Sequence, residues 1–197
     1  MTYFTLPEKL GNGNAYAISK LLAKINSSMN YKPEARIKLS SIINNYATAC
    51  MDTSDGLLST LDQLMRLNNV GFELTEKLEN IIDDDVLNYS KKLNIPSWLL
   101  FAGQHGEFEL IFTIPQGSQK EFLEDAKKIG FEPIELGKVI PSIEITINLY
   151  DKLIPINTAL IRNLPYQSNG DINHYLKLLL GYDSELKNST KLDFTSH

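Results

Sequence analysis

Apolar positions recur along this chain with two periods, and the period changes at recognisable breaks. Ala15, Ile18, Leu21, Leu22 and Ile25 fall on one face of a helix that follows the Gly/Asn turn "LGNGN". "PEARIKLSSIINNY" predicts a second helix, with Pro33 at its start, where a missing N–H does no harm. "ATACM" is short, apolar and bounded by polar residues, which reads as a buried strand. Leu57, Leu58, Leu61, Leu64 and Met65 then return to helical spacing until Asn68-Asn69.

"VGFEL" predicts a further strand, and "IDDDVLNYSKKLNI" a helix with three aspartates at its positive end and lysines toward the other. "FELIFTI" is the strongest strand signal in the chain, rich in aromatic and branched residues. "SQKEFLEDAKKIG" predicts a helix closed by Gly130. "EPIELGKVI" and "SIEITINLYDKLIPI" supply strands, the second turning near Tyr150-Asp151. "GDINHYLKLLLG" closes with a short helix, which leaves "YDSELKNSTKLDFTSH" as a polar, mobile tail. Helices and strands are interspersed, and the later strands are close enough in sequence to pair antiparallel. The expected class is therefore α+β, a mixed β-sheet flanked by helices. The domain is expected over residues 1–175, with residues 176–197 as the tail.

Composition narrows the partners. The chain has 197 residues, with 43% hydrophobic and 22% charged, enough for a real core. Its 19 basic and 24 acidic residues give a net charge of −5, which argues against nucleic acid or an anionic membrane, both of which need a concentrated cationic face. No apolar stretch approaches the roughly 20 residues that span a bilayer, and the start lacks the pattern of a signal peptide. The single cysteine, Cys50, reads as a small buried residue in a reducing compartment, so a soluble cytoplasmic protein is expected.

Two polar clusters carry candidate chemistry. In "ATACMDTSDGLLSTLDQL", residues 47–64, Asp52, Ser54 and Asp55 sit where strand gives way to helix, with Gly56 permitting close backbone approach. Carboxylates there can bind Mg²⁺, which in turn holds phosphate, and Ser54 can donate to a phosphate oxygen. The competing reading is helix capping, which any one of these side chains could perform. In "FAGQHGEFELIFT", His105 and Glu107 lie in a Gly-rich turn leading into the strong strand, with Glu109 on the same side as Glu107. A His and two carboxylates can do acid–base work; a solvated turn with Glu109 on the polar face is the alternative.

The order of "ACMDTSDGLLSTLDQL", "VGFEL", "GEFELIFTIP" and "IGFEPIELGKVI" resembles the C-terminal half of thiamine-monophosphate kinase, in the AIR synthase-related (PurM-like) superfamily. "YFTLPEKLGNGNAYAISKLL" and "KPEARIKL" resemble the segments that precede the Asp-Ser-Asp motif there, so the resemblance covers roughly residues 2–175. It implies a PurM C-terminal-domain-like fold that closes over a site carried largely by an N-terminal ATP-binding domain, supplied in cis or in trans. It also implies Mg²⁺ and ATP, with Asp52 and Asp55 as metal ligands, Ser54 and Gly56 at the nucleotide, His105 and Glu107 facing a small-molecule substrate, and capping as a secondary role of the cluster. A homodimer is the other way to cover that face. Two departures stand out: "QHGEFEL" replaces the kinase's "GGEDYEL", with Gly106 where the first Glu stands, and the kinase's N-terminal domain has no counterpart in this sequence; near the end "NGDINHY" stands where the kinase has "GxDHF". They leave a non-catalytic binding or regulatory module as the alternative.

Overall fold

The computed structural model describes residues 2–6, 35–102 and 109–192. The helix expected from Ala15 to Ile25 therefore lies outside the described residues, as do His105 and Glu107.

Among the described residues, strands β1 (Thr2–Leu6), β2 (Ala49–Asp52), β3 (Gly71–Leu74), β4 (Leu110–Pro115), β5 (Ile134–Ile140), β6 (Ile145–Leu149) and β7 (Lys152–Pro155) form one sheet in the order β2-β4-β1-β5-β3-β6-β7. Neighbours pair antiparallel except β3 and β6, which run parallel, so the sheet is mixed as expected. The helices are α1 (Ser40–Tyr46), α2 (Leu57–Asn68), α3 (Leu78–Ile81), α4 (Asp84–Leu93), α5 (Leu99–Ala102), α6 (Gln119–Lys128), α7 (Thr158–Gln167) and α8 (Ile172–Leu192).

Strand periodicity sends alternate side chains to two cores. Ile111 of β4 joins Leu74, Leu136 and Ile147 in the larger one, under the apolar stripes of α2, α7 and α8. Its neighbours Phe112 and Ile114 face the other way, into a smaller core with Leu39, Ile42, Phe122, Ala126 and Phe131. There the Phe122 ring meets Phe112 and Tyr46 edge-on, each at 5.7 Å between centroids. A buried carboxylate ties two helices across the larger core. Asp62 of α2 accepts from Thr158 Oγ1 at 2.7 Å and from Arg66 Nε at 2.9 Å, and it also pairs with Arg162 of α7.

Several local signals resolve as their chemistry predicts. Asp83 caps α4 by accepting from the Asp85 amide at 2.9 Å. Asn69 and Asn94 close α2 and α4 in the left-handed conformation. Gly137 sits at a shift in the β1–β5 register, and a Cβ built there would lie 1.9 Å from the Glu73 carbonyl oxygen. Because that neighbour is strand backbone and cannot swing aside, Gly137→Ala is expected to force β3 and β5 apart and to cost several kcal/mol. A chemical-denaturation midpoint equal to wild type would refute this.

Two expectations need correction. Cys50 is exposed, because β2 is outermost in the sheet order and has a neighbouring strand on one side only. The expected tail is not a polar appendage: α8 runs unbroken to Leu192 and buries Leu179, Tyr182 and Leu186 at positions i, i+3 and i+7. Gly181 weakens a helix by roughly 1 kcal/mol relative to Ala, but the burial of its neighbours outweighs that cost. Finally, four elements carry no expectation: β1 in the middle of the sheet, the one-turn helices α3 and α5, and α7, which continues past an internal Pro165. No helix among the described residues is long and apolar enough to cross a membrane.

Candidate functional site

β2 ends at Asp52, opposite Leu110 at the start of β4, and two further residues extend the pairing. Thr53 donates its N–H to the Glu109 carbonyl at 2.8 Å, while its hydroxyl accepts the Glu109 N–H at 3.1 Å. Thr53 is fully buried by these contacts. The chain then turns: the Gly56 N–H reaches the Thr53 carbonyl at 2.9 Å, and Gly56 takes φ 89°, a left-handed value that glycine adopts without strain. α2 starts immediately afterwards. From its first turn, the Thr60 hydroxyl reaches back to the carbonyls of Asp52 and Gly56, both at 3.0 Å.

This framework decides what the polar cluster does locally. Gly56 occupies the cap position of α2, and no side chain caps that helix. The capping role expected for Asp52, Ser54 or Asp55 is therefore absent. Their polarity needs another explanation. Asp52 instead accepts the Ser54 amide at 2.9 Å, closing a small local ring. Hydrogen bonds from the Ser54 hydroxyl, then from its amide, hold the Asp52 carboxyl below the usual carboxylate range. Asp52 and Asp55 are both exposed, Ser54 is half-buried, and Gly56 is buried beneath them.

Glu109 corrects a second expectation. It is buried rather than on a polar face, and Arg36 grips its carboxylate with both arms of the guanidinium, Nε to Oε2 at 2.9 Å and Nη2 to Oε1. A carboxylate held this way is a structural tie between the segment before α1 and the start of β4. Sequence reasoning missed Arg36 because it stands 73 residues from its partner; its presence in "KPEARIKL" was the only available signal. No group of three or more His, Cys, Asp or Glu able to hold a metal occurs among the described residues. Asp52 and Asp55 alone offer hard oxygen ligands of the kind Mg²⁺ accepts. Two carboxylates are fewer than the roughly six oxygen donors that Mg²⁺ requires, about four short of a full set.

Comparison with known proteins places this geometry in a family of folds. Thiamine-monophosphate kinase from Aquifex aeolicus (strain VF5) is 35% identical to the chain over 102 residues, which is 50% of this chain and 32% of the kinase. A ThiL structure complexed with AMPPCP and TMP superposes with a TM-score of 0.59 at 20% identity, covering 78% of this chain and 50% of that one. E. coli HypE, a hydrogenase maturation protein, superposes with a TM-score of 0.64 at 12% identity, covering 80% and 49%. This is the AIR synthase-related, PurM-like fold. At such identities the superpositions establish the PurM-like architecture, and the sequence match adds similarity to the kinases. No family model matches the chain. The matched segments span 32% to 38% of the curated kinases' length, so the PurM-like region here corresponds to a part of those proteins.

Proposed function

We propose that this chain is the C-terminal part of a PurM-like, ATP-dependent phosphoryl-transfer enzyme resembling thiamine-monophosphate kinase, and that its Asp52–Gly56 turn is half of a metal–phosphate site. The observation that carries this reading is the uncapped start of α2: two exposed aspartates and a serine crowd the turn, yet none serves the helix. The matched relatives are kinases, and the ThiL neighbour was solved with AMPPCP and TMP.

In this reading Asp52 and Asp55 hold Mg²⁺, which when bound neutralises phosphate charge. Ser54 positions Asp52 and donates toward the nucleotide, and Gly56 lets phosphate approach the backbone at the start of α2. His105 and Glu107 face the small-molecule substrate. The remaining ligands come from an N-terminal ATP-binding domain, in cis or in trans. The PurM-like domain itself is taken to extend from residue 1 through α8.

A second reading, a non-catalytic binding module on the same fold, is favoured by one feature: Gly106 stands where the kinases have an acidic residue. Phosphoryl transfer measured with a separately supplied N-terminal domain separates the two. Asp52→Ala is expected to lower the rate at least about 100-fold while leaving the circular dichroism spectrum unchanged. Full activity in that variant would sink the proposal.

A further inference from the structure

No side chain of the turn carrying Asp52 and Asp55 caps α2. On the helix side the turn is held by the Gly56 N–H on the Thr53 carbonyl and the Thr60 hydroxyl on the Asp52 carbonyl, and a second support comes from the β4 side. Thr53, between the two acidic residues, is anchored on both sides of the Glu109 peptide: its amide donates to the Glu109 carbonyl at 2.8 Å, and its hydroxyl accepts from the Glu109 amide at 3.1 Å. Glu109 is in turn gripped by the planar fork of Arg36, with the two side chains only 14% and 10% exposed. Such a fork fixes the orientation of a carboxylate as well as its distance, which a lysine cannot do.

We infer that Arg36, Glu109 and Thr53 form a positioning clamp that holds the Asp52–Asp55 turn in the geometry a divalent cation requires. The inference rests on the reading of that turn as a metal–phosphate site, and it assigns function to three residues that touch neither metal nor nucleotide. Arg36 acts through Glu109, Glu109 through its own peptide, and Thr53 delivers the constraint to Asp52 on one side and Ser54 on the other. Without the fork, the Glu109 peptide can rotate, and the two aspartates lose their common orientation. Supports of this kind are worth about 10- to 100-fold in metal affinity at known sites.

The test uses the full chain and two readouts. Backbone amide exchange at Thr53, Ser54 and Gly56 reports the clamp directly, and Mn²⁺ alone, followed by its electron spin resonance signal, reports the turn. Arg36→Lys keeps the charge and loses the fork. The pair Arg36→Met with Glu109→Gln removes the fork without leaving a buried unpaired charge, so it guards against a variant that simply fails to fold. Leu164→Ala, which opens a cavity in the larger core on α7 and leaves the Arg36–Glu109 pair intact, is the control for general destabilisation.

The clamp predicts roughly tenfold faster exchange at the three amides and about tenfold weaker Mn²⁺ binding in both Arg36 variants, with neither change in the Leu164→Ala control. Unchanged exchange in the double variant overturns the clamp. Faster exchange in a protein whose wild type binds no Mn²⁺ overturns instead the metal reading, and with it the positioning role.

Discussion

A chain ending at Tyr175 will show no cooperative thermal unfolding transition. The segment removed contains Leu179, Tyr182 and Leu186, which are 2%, 8% and 8% exposed and sit in the larger core. Burying a large apolar side chain contributes about 1.5–3 kcal/mol, so losing three forfeits roughly 5–9 kcal/mol. A domain of this size has only about 5–15 kcal/mol of net stability. The loss extends further: the Tyr182 hydroxyl accepts the Asn157 amide at 2.7 Å at the head of α7, and its ring meets Trp98 edge-on at 5.9 Å. A truncated chain that melts cooperatively near the wild-type temperature would show that α8 is an appendage after all.

The second large effect is centred on Asp183 of α8. Its carboxylate is buried and accepts from Trp98 Nε1 at 2.8 Å, Tyr150 Oη at 2.7 Å and Lys187 Nζ at 2.7 Å. These contacts tie α8 to the segment before α5 and to the β6–β7 turn. In that turn Tyr150 and Asp151 both take positive φ without being glycine. Asp183→Ala strands the buried Trp98 indole N–H, at a cost of about 2 kcal/mol; Tyr150 is 46% exposed and Lys187 43%, so both can turn to water and add little. Asp183→Asn keeps an acceptor for Trp98 and Tyr150 and should lose about half as much.

The pH dependence follows from the same carboxylate. Burial pushes its pKa up, but hydrogen bonds from Lys187, Trp98 and Tyr150 outweigh burial and leave it below the usual carboxylate value. A folded-state pKa below the unfolded one gives stability that is complete above about pH 4 and is lost as pH falls through the depressed value. Wild type should therefore lose stability at acid pH more steeply than Asp183→Asn. Parallel acid limbs in denaturation curves for the two proteins would contradict this.

How much of this was legible in the sequence depends on whether the deciding interaction is local. The face of α2, the Asp83 cap, the stop at Gly130 and the Tyr150-Asp151 turn all follow from residues within a few positions of one another. β1 does not. Its five residues become a central strand only because residues 112–115 and 134–138 flank it, and nothing local announces that pairing. α7 had a usable signal in Asn157, which accepts the Leu160 amide, followed by Ile161 and Leu164 on the buried face; Pro165 obscured it. The last helix runs on past Gly181, which reads as a stop in the sequence, because the burial that overrides it is tertiary.

The candidate site divides in the same way. Asp52, Ser54, Asp55 and Gly56 could be picked out from one short stretch and its resemblance to a kinase family. That no side chain among them caps α2, and that Gly56 takes the cap position, could not, since capping depends on backbone geometry that side-chain identity does not fix. The Arg36–Glu109 pair joins residues far apart in sequence, and the burial of Glu109 inverts the role its position on a strand suggested.

The central claim is that the Asp52–Gly56 turn binds phosphate through a divalent cation. Calorimetric titration of Mg-ATP into the full chain, repeated with EDTA and with the Asp52→Ala, Asp55→Ala double variant, tests it most directly. The account predicts binding that requires Mg²⁺ and disappears in the double variant. Binding that survives either treatment, or no binding at millimolar nucleotide, would contradict it.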